Sequence, residues 1–197
     1  IDQLSGKAVK WLASGELEDA MLLSPQGTLA LTIDPLDGSS NVDTNLTLGT
    51  IFSIYPGKQK AADALLQPGR QQLAAGFMAF GPQTSLILTL GKGTFLFTLD
   101  RARRQFFLVR EDIRIPQTTQ EFAINASNYR HWQEPFKDYV EGCLDGDTGP
   151  RGKNFNKRWL ASLVAECQRI MSRGGIFLYP GDKRPGYQNG RLRLVYE

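Results

Sequence analysis

Cysteine, histidine and long apolar runs are all scarce in this chain, and each scarcity removes a class of function. The two cysteines, Cys143 and Cys167, are too few and too far apart for a disulfide framework or a thiolate zinc site, which fits a reducing, cytoplasmic setting. The single histidine, His131, argues against a Ser/His/Asp hydrolase and against a histidine-ligated metal. It sits in a polar loop and is assigned no role. No apolar stretch reaches the roughly 18 residues of a membrane span and no signal peptide is visible, so no membrane partner is expected. Charge of one sign is missing too. The 23 basic and 20 acidic residues are interspersed, for a formal net charge of +3. Only Arg101-Ala-Arg-Arg104 approaches a basic cluster; after Asp100 it reads as a solvated hairpin turn, so no nucleic-acid partner is expected. Repeats and low-complexity segments are absent. What remains is an ordinary composition, 41% hydrophobic over 197 residues, enough for a real core in one large domain or two small ones.

The informative segment is Asp34-Pro-Leu-Asp-Gly-Ser-Ser-Asn-Val-Asp-Thr-Asn45. It follows an apolar run over 29–33 that reads as a buried strand, so the motif is expected where a strand ends and a helix or turn begins. Asp34 and Asp37 flank Pro35, whose ring fixes one backbone dihedral, and both carboxylates can converge on one point. Such a pair suits a hard divalent cation. Mg2+ takes one or two protein carboxylates and leaves its other positions to water and substrate phosphate. Gly38, Ser39 and Ser40 then offer backbone N–H groups to an anion at what reads as a helix start. A plain Asp-Pro and Asp-Gly turn capped by serines would use the same residues.

Along the chain, 3–12 reads as the end of a helix. An acidic loop with Glu16, Glu18 and Asp19 then leads through 21–23 and a Pro-Gln-Gly turn to the strand before Asp34. Short strands recur at 50–55, 73–80, 85–90, 94–99 and 105–109, separated by Gly, Pro and Asp residues, the pattern of an antiparallel meander. A short helix or loop insertion is expected over 61–66. The strand series stops at 113–116, which divides the chain into a domain over 1–115 and a second over 116–197. The second alternates strand and helix: a strand at 122–125, a helix around 132–141, a helix from about 156 to 172, and a strand at 176–179. The long helix would carry Trp159, Leu160, Leu163, Val164, Cys167, Ile170 and Met171 on one face and end at Gly174-Gly175. The fold class is mixed α/β with layered sheets.

The twelve-residue string, followed by Leu48-Gly-Thr-Ile-Phe-Ser-Ile-Tyr-Pro56, closely resembles the class I fructose-1,6-bisphosphatases, within the lithium-sensitive, metal-dependent sugar-phosphatase superfamily. Further blocks resemble that family in the right order: Leu66-Gln-Pro-Gly69 before Ala74-Ala-Gly-Phe77, Ile124-Asn-Ala-Ser-Asn-Tyr129, Arg158-Trp-Leu-Ala-Ser-Leu-Val-Ala-Glu166, Gly174-Gly-Ile-Phe-Leu-Tyr-Pro180 and Gly190-Arg-Leu-Arg-Leu-Val-Tyr-Glu197. The resemblance implies a layered α-β-α-β-α sandwich. It also implies that the chain is incomplete at both ends, with roughly the first quarter and the last fifth of the family's length missing.

The activity implied is Mg2+-dependent hydrolysis of the 1-phosphate of fructose 1,6-bisphosphate, in gluconeogenesis or carbon fixation, with Mn2+ as an alternative metal. By resemblance, Glu16, Asp34, Asp37 and Glu197 supply carboxylates and Leu36 a backbone carbonyl to the metal site, with Glu16 and Asp37 as the catalytic pair. Two cations about 3.5–4 Å apart would be held there. Gly38, Ser39 and Ser40 take the reacting phosphate, while Asn125, Tyr129, Arg158, Tyr179 and Arg191 clasp the other phosphate and the sugar hydroxyls. Arginine suits that task because its planar fork bonds phosphate at two points. Arg158, expected in the first turn of its helix, is typically presented by a neighbouring subunit, which implies a homo-oligomer, dimer or tetramer. Four positions depart from the family. Gly15 stands where the first of two adjacent glutamates is expected, so either Glu18 moves in, or the metal binds weakly, or activity is lost. Trp159 replaces a tyrosine, Arg191 a lysine and Ala126 a glutamate. The alternatives are a phosphatase of sedoheptulose 1,7-bisphosphate or of both sugars, and a catalytically silent paralogue that binds sugar phosphates.

Overall fold

The computed structural model describes residues 8–188. Its chain divides into two compact units, one of the residues up to 114 together with 161–165, the other of 115–160 and the residues from 166 onward.

The first unit is built on an eight-stranded sheet: β1 (Val9–Ser14), β2 (Met21–Leu22), β3 (Leu29–Asp37), β4 (Leu48–Pro56), β5 (Ala74–Phe80), β6 (Thr84–Thr89), β7 (Phe95–Asp100) and β8 (Gln105–Arg110), with helix α1 (Ala61–Leu65) between β4 and β5. The strand order is β2-β1-β3-β4-β5-β6-β7-β8. From β3 onward every neighbour is antiparallel, as expected for strands joined by short Gly, Pro and Asp turns. The Arg101 cluster is indeed the β7–β8 turn, closed by the Asp100 carboxylate accepting the amides of Ala102 and Arg103 at 2.9 and 3.0 Å. The small side chains of Ala13, Ala30 and Ala64 pack with Tyr55 and Leu65 as a buried cluster, edged by Trp11, Ala20 and Ala61. The Trp11 indole N–H finds the Lys58 carbonyl at 2.9 Å.

Two readings from sequence are corrected here. Residues 9–12 belong to β1 and not to a helix end; residues 3–7 lie outside the described residues. Strand wins because β1 pairs parallel to β3, from Val9 opposite Leu29 to Ser14 opposite Ile33, a partner about 20 residues distant that local periodicity does not register. The strand before the acidic motif does not end at Ile33 either. It runs through the motif to Asp37. Pairing with β1 stops at Ile33, so Pro35 needs no N–H on that side. On the other side Asp34 faces Ile51 and Asp37 faces Gly49. Pro35 and Leu36 therefore bulge opposite Thr50, whose hydroxyl donates to the Pro35 carbonyl at 2.9 Å.

The second unit contains β9 (Glu121–Ile124), α2 (Glu134–Leu144), β10 (Asn156–Arg158), the greater part of α3 (Leu163–Arg173), and β11 (Ile176–Leu178). β9 lies between β10 and β11, parallel to both. Phe122, Ile124, Trp132, Val140 and Cys143 form its buried core. Here the expected helix over 156–172 is shortened. Asn156–Arg158 is a strand on β9, Ala161 turns the chain with φ 54°, and the helix starts only at Leu163. Arg158 thus ends a strand instead of opening a helix, and Trp159 and Leu160 lie outside the helix. The C-terminus is as expected: Gly174 adopts φ +74° and its amide donates to the Ile170 carbonyl at 2.7 Å.

Gly49 is glycine for a packing reason. A Cβ there would collide with the Met78 carbonyl oxygen and stand 2.5 and 2.7 Å from the Val164 methyls. We expect Gly49→Ala to cost about 1–3 kcal/mol, the usual scale of overpacking, measured as a lowered urea midpoint; an unchanged midpoint would show that β5 and Val164 yield freely.

Candidate active site

Asp37 is the most constrained polar residue of the motif. The residue is 1% exposed, and its carboxylate is hydrogen-bonded. Oδ2 accepts the backbone N–H of Val164, in the first turn of α3, at 3.0 Å and the Ser162 hydroxyl at 3.4 Å. This buried carboxylate therefore satisfies one of the helix's orphan amides and sits where the helix dipole favours negative charge. The next residues tighten the same clasp. Gly38 takes the left-handed conformation, φ 80° and ψ 24°, which an L side chain adopts only with strain. A 3-10 turn, Ser39–Asn41, follows, so Gly38, Ser39 and Ser40 open a short turn and not an α-helix. Its last residue, buried Asn41, donates Nδ2 to the Ala161 carbonyl at 3.3 Å. Residues 37–41 thus grip 161–164 at both the carbonyl before α3 and the amide inside it.

Asp34 and Leu36 lie on the bulge. Asp34 Oδ1 accepts the Leu36 amide at 3.1 Å, a local turn around an exposed leucine. Glu16 lies two residues after Ser14, whose hydroxyl accepts the Glu16 amide at 3.3 Å. Among the described residues no three acidic, histidine or cysteine side chains gather into a metal-holding group. The expected set of Glu16, Asp34 and Asp37 is therefore not brought together as one cage, and Glu197 lies outside the described residues. In kind the donors of the motif do fit: two carboxylates and a backbone carbonyl on one bulged strand are hard oxygen ligands, suited to Mg2+ and unsuited to a thiolate metal. Gly15 has nothing within 4 Å of a built Cβ, so backbone geometry does not demand glycine there.

In the second unit, Asn125 Oδ1 accepts the Ser127 amide at 3.1 Å and caps the 3-10 turn Ala126–His131. Tyr129, on that turn, donates its hydroxyl to Glu141, an acceptor that raises the phenol's pKa. Its ring meets Trp132 edge-on with 5.5 Å between centroids. Tyr179 packs against Trp159, 6.0 Å between centroids, and Trp159 stacks on Phe177 at 5.5 Å. The departure at Trp159 is thus absorbed in aromatic packing. Arg158 is half-exposed, with Nε 3.3 Å from the Glu121 carboxylate. Arg191 lies outside the described residues.

Sequence reasoning missed Ser162 and Asn41, which hold the acidic motif and the start of α3 together, and the buried ion pairs of Glu121, Glu166 and Arg169. One signal for the latter was present: Glu166 and Arg169, three apart, interrupt the apolar face of α3.

Solved structures share this fold. A Leishmania major fructose-1,6-bisphosphatase in its holo form superposes with a TM-score of 0.88 at 32% identity, over 98% of this chain and 62% of that one. The apo form gives 0.87 at 31%, over 96% and 63%. The architecture is thus that of a sugar-phosphatase-type α/β protein. Family models described as the N-terminal and C-terminal domains of fructose-1-6-bisphosphatase match residues 3–111 and 115–197. The chain belongs to the fructose-1,6-bisphosphatase family. Relatives named fructose-1,6-bisphosphatase class 1 include one from Rhodopseudomonas palustris, 60% identical over 94% of this chain and 54% of its own length. Another, from Nitrobacter hamburgensis, is 57% identical over 100% and 57%. The chain therefore spans a little over half the length of these relatives. Among the described residues no helix is long and apolar enough to cross a membrane.

Removing the Asp37 carboxylate strands the Val164 amide and the Ser162 hydroxyl in a buried place. Asp37→Ala should cost roughly 1–3 kcal/mol, the penalty for buried groups left unbonded, read from chemical unfolding; Asp37→Asn, which keeps an acceptor oxygen, should cost clearly less.

A second expectation concerns acid. Burial disfavours the Glu121 anion, but hydrogen bonds from Arg169 and Arg158 outweigh it, and the carboxyl lies below its ordinary value of 4.5. A folded-state pKa lower than the unfolded one adds stability that is complete above the unfolded value and lost as pH falls through the folded value. The gap in unfolding midpoint between the parent and Glu121→Gln should therefore hold steady near neutral pH and narrow below 4.5. A gap independent of pH would show that the pairing does not depend on the charge.

Proposed function

We propose that the protein hydrolyses the 1-phosphate of fructose 1,6-bisphosphate to fructose 6-phosphate and phosphate, with Mg2+ as the resident cation and Mn2+ as a substitute. The observation that carries this reading is the Asp34-Pro-Leu-Asp-Gly-Ser-Ser segment on its bulge, with Asp37 locked against α3, in a chain whose relatives bear the name fructose-1,6-bisphosphatase. The reaction is attack of water on phosphorus and cleavage of the bond to the C1 oxygen, which leaves as an alkoxide and takes up a proton.

The carboxylates of Asp34 and Asp37 and the Leu36 carbonyl would hold the cation. When bound, it supplies Lewis-acid neutralisation of the phosphoryl oxygens and of the leaving oxygen. Asp37 is suited to the task because the Val164 amide fixes one of its oxygens and so orients the other, with no reorganisation cost when substrate arrives. The amides of Gly38, Ser39 and Ser40 are assigned to the reacting phosphate. Glu16, with Asp37, is assigned to proton transfer from the attacking water. The second anionic end of the sugar is assigned to Asn125, Tyr129, Arg158 and Tyr179, joined by Arg191. Tyr129 must then exchange Glu141 for phosphate, a cost the negative ligand repays by accepting a stronger, charge-assisted bond. The enzyme is read as a cytoplasmic homo-oligomer in which Arg158 serves a neighbouring subunit.

One observation favours a second reading, a catalytically silent sugar-phosphate-binding protein: Gly15 stands where a carboxylate is expected. Phosphate release from fructose 1,6-bisphosphate by the full gene product, with and without Mg2+, separates the two. We expect metal-dependent release that Asp37→Asn reduces by about a hundredfold or more, the scale of losing a preorganised charged group. Binding without release would favour the silent reading, and Gly15→Glu, which the open space around residue 15 admits, should then restore activity.

A further inference from the structure

Among the described residues, Arg158 is the one assigned substrate ligand whose side chain is tied into a largely buried network of ion pairs, and the network has no role in the reading above. Glu121 opens the central strand β9, with its side chain only 12% exposed. Its Oε1 lies 3.3 Å from Arg158 Nε, while its Oε2 accepts Nη1 of Arg169 at 2.9 Å. Arg169, on α3, gives Nε and Nη2 to Glu166 Oε2 at 2.9 and 2.8 Å. Glu166 is fully buried, and its Oε1 accepts the Leu160 amide at 2.9 Å. The chain of contacts thus leaves the Arg158 side chain and returns to the backbone two residues later, with Trp159 between them stacked on Phe177.

We propose that Glu121, held from behind by Arg169 and Glu166, is a positioning residue that presents the Arg158 guanidinium to the substrate phosphate remote from the scissile bond. The inference rests on the assignment of Arg158 as a phosphate ligand. Three features carry it. Glu121 engages Nε, so the paired Nη groups of Arg158 form the fork that phosphate accepts at two points. The network is not neutral. Arg173, with Nη1 3.6 Å from Glu121 Oε1, brings the guanidiniums to three against two carboxylates, and the surplus positive charge stays with the exposed members, Arg158 and Arg173, because Arg169 is buried between both acids. Finally, an exposed arginine on a three-residue edge strand would lose rotamer freedom on binding, and a fixed carboxylate removes most of that loss in advance.

The test compares the full gene product with Glu121→Gln, Glu121→Asp, Arg158→Ala and the double variant Glu121→Gln/Arg158→Ala. The readouts are calorimetric binding of fructose 1,6-bisphosphate, which does not require turnover, and steady-state kinetics. Glu121→Gln should weaken binding and raise KM by about tenfold, the lower range for a hydrogen bond to a charged group, with kcat within about twofold because the contact is remote from the bond broken. It should add nothing in the Arg158→Ala background. Should Glu121→Gln fail to fold, Glu121→Asp carries the same comparison, since it keeps the charge for Arg169 but withdraws it from Arg158. Unchanged affinity, an effect that persists in the absence of Arg158, or a fall in kcat alone would overturn the proposal. Parental affinity in Arg158→Ala itself would instead overturn the assignment on which it rests.

Discussion

A buried carboxylate at the first turn of a helix is the constraint on which the candidate active site depends. Asp37 is enclosed almost completely, and an isolated charge in such a place would be prohibitively costly. What makes it tolerable is the Val164 amide at 3.0 Å, aided by the Ser162 hydroxyl and by the positive end of α3. The arrangement works in both directions: the helix satisfies the carboxylate, and the carboxylate caps the helix. Much of the local sequence follows from it. Gly38 must turn left-handed directly after Asp37, Gly49 must lack a side chain for Val164 to reach the sheet, and Asn41 must find the Ala161 carbonyl where the chain turns at φ 54°.

The bulge adds a second layer to the same idea. Two residues, Pro35 and Leu36, pass opposite Thr50 alone, which displaces the strand end and re-aims the side chains on either side of it. On a regular strand Asp34 and Asp37, three residues apart, would fall on opposite faces. Arg158 shows how the other unit solves a comparable problem with opposite charge. There a half-exposed cation is steadied by a nearly buried acid, and the acid by a nearly buried guanidinium. Such pairs add little to stability on balance but restrict orientation.

The sequence made some of this legible and hid the rest for identifiable reasons. The meander from β4 to β8 could be read nearly to the residue, because alternating apolar positions and turn-forming Gly, Pro and Asp residues are local signals. The acidic motif could be recognised from its residues and from the family they resemble. Strand β1 was misread because its partner is remote, and the start of α3 because helically spaced apolar residues begin already at Trp159 and Leu160 while the turn at Ala161 carries no glycine to announce it. The cap on α3 could not be read at all: Asp37 and Val164 are 127 residues apart. Glu166 was visible as a charge on an apolar face, yet its bond from the Leu160 amide and its link through Arg169 to Glu121 emerge only in the folded chain.

Amide hydrogen exchange at Val164 tests the central claim most directly, compared between the parent protein and Asp37→Ala under conditions where both are folded. The account expects the Val164 amide to be strongly protected in the parent and to lose protection selectively in the variant, while amides in the middle of α3 and in β4 and β5 keep theirs. Equal protection of Val164 in the two proteins would contradict it, since the helix would then be closed by something other than the Asp37 carboxylate.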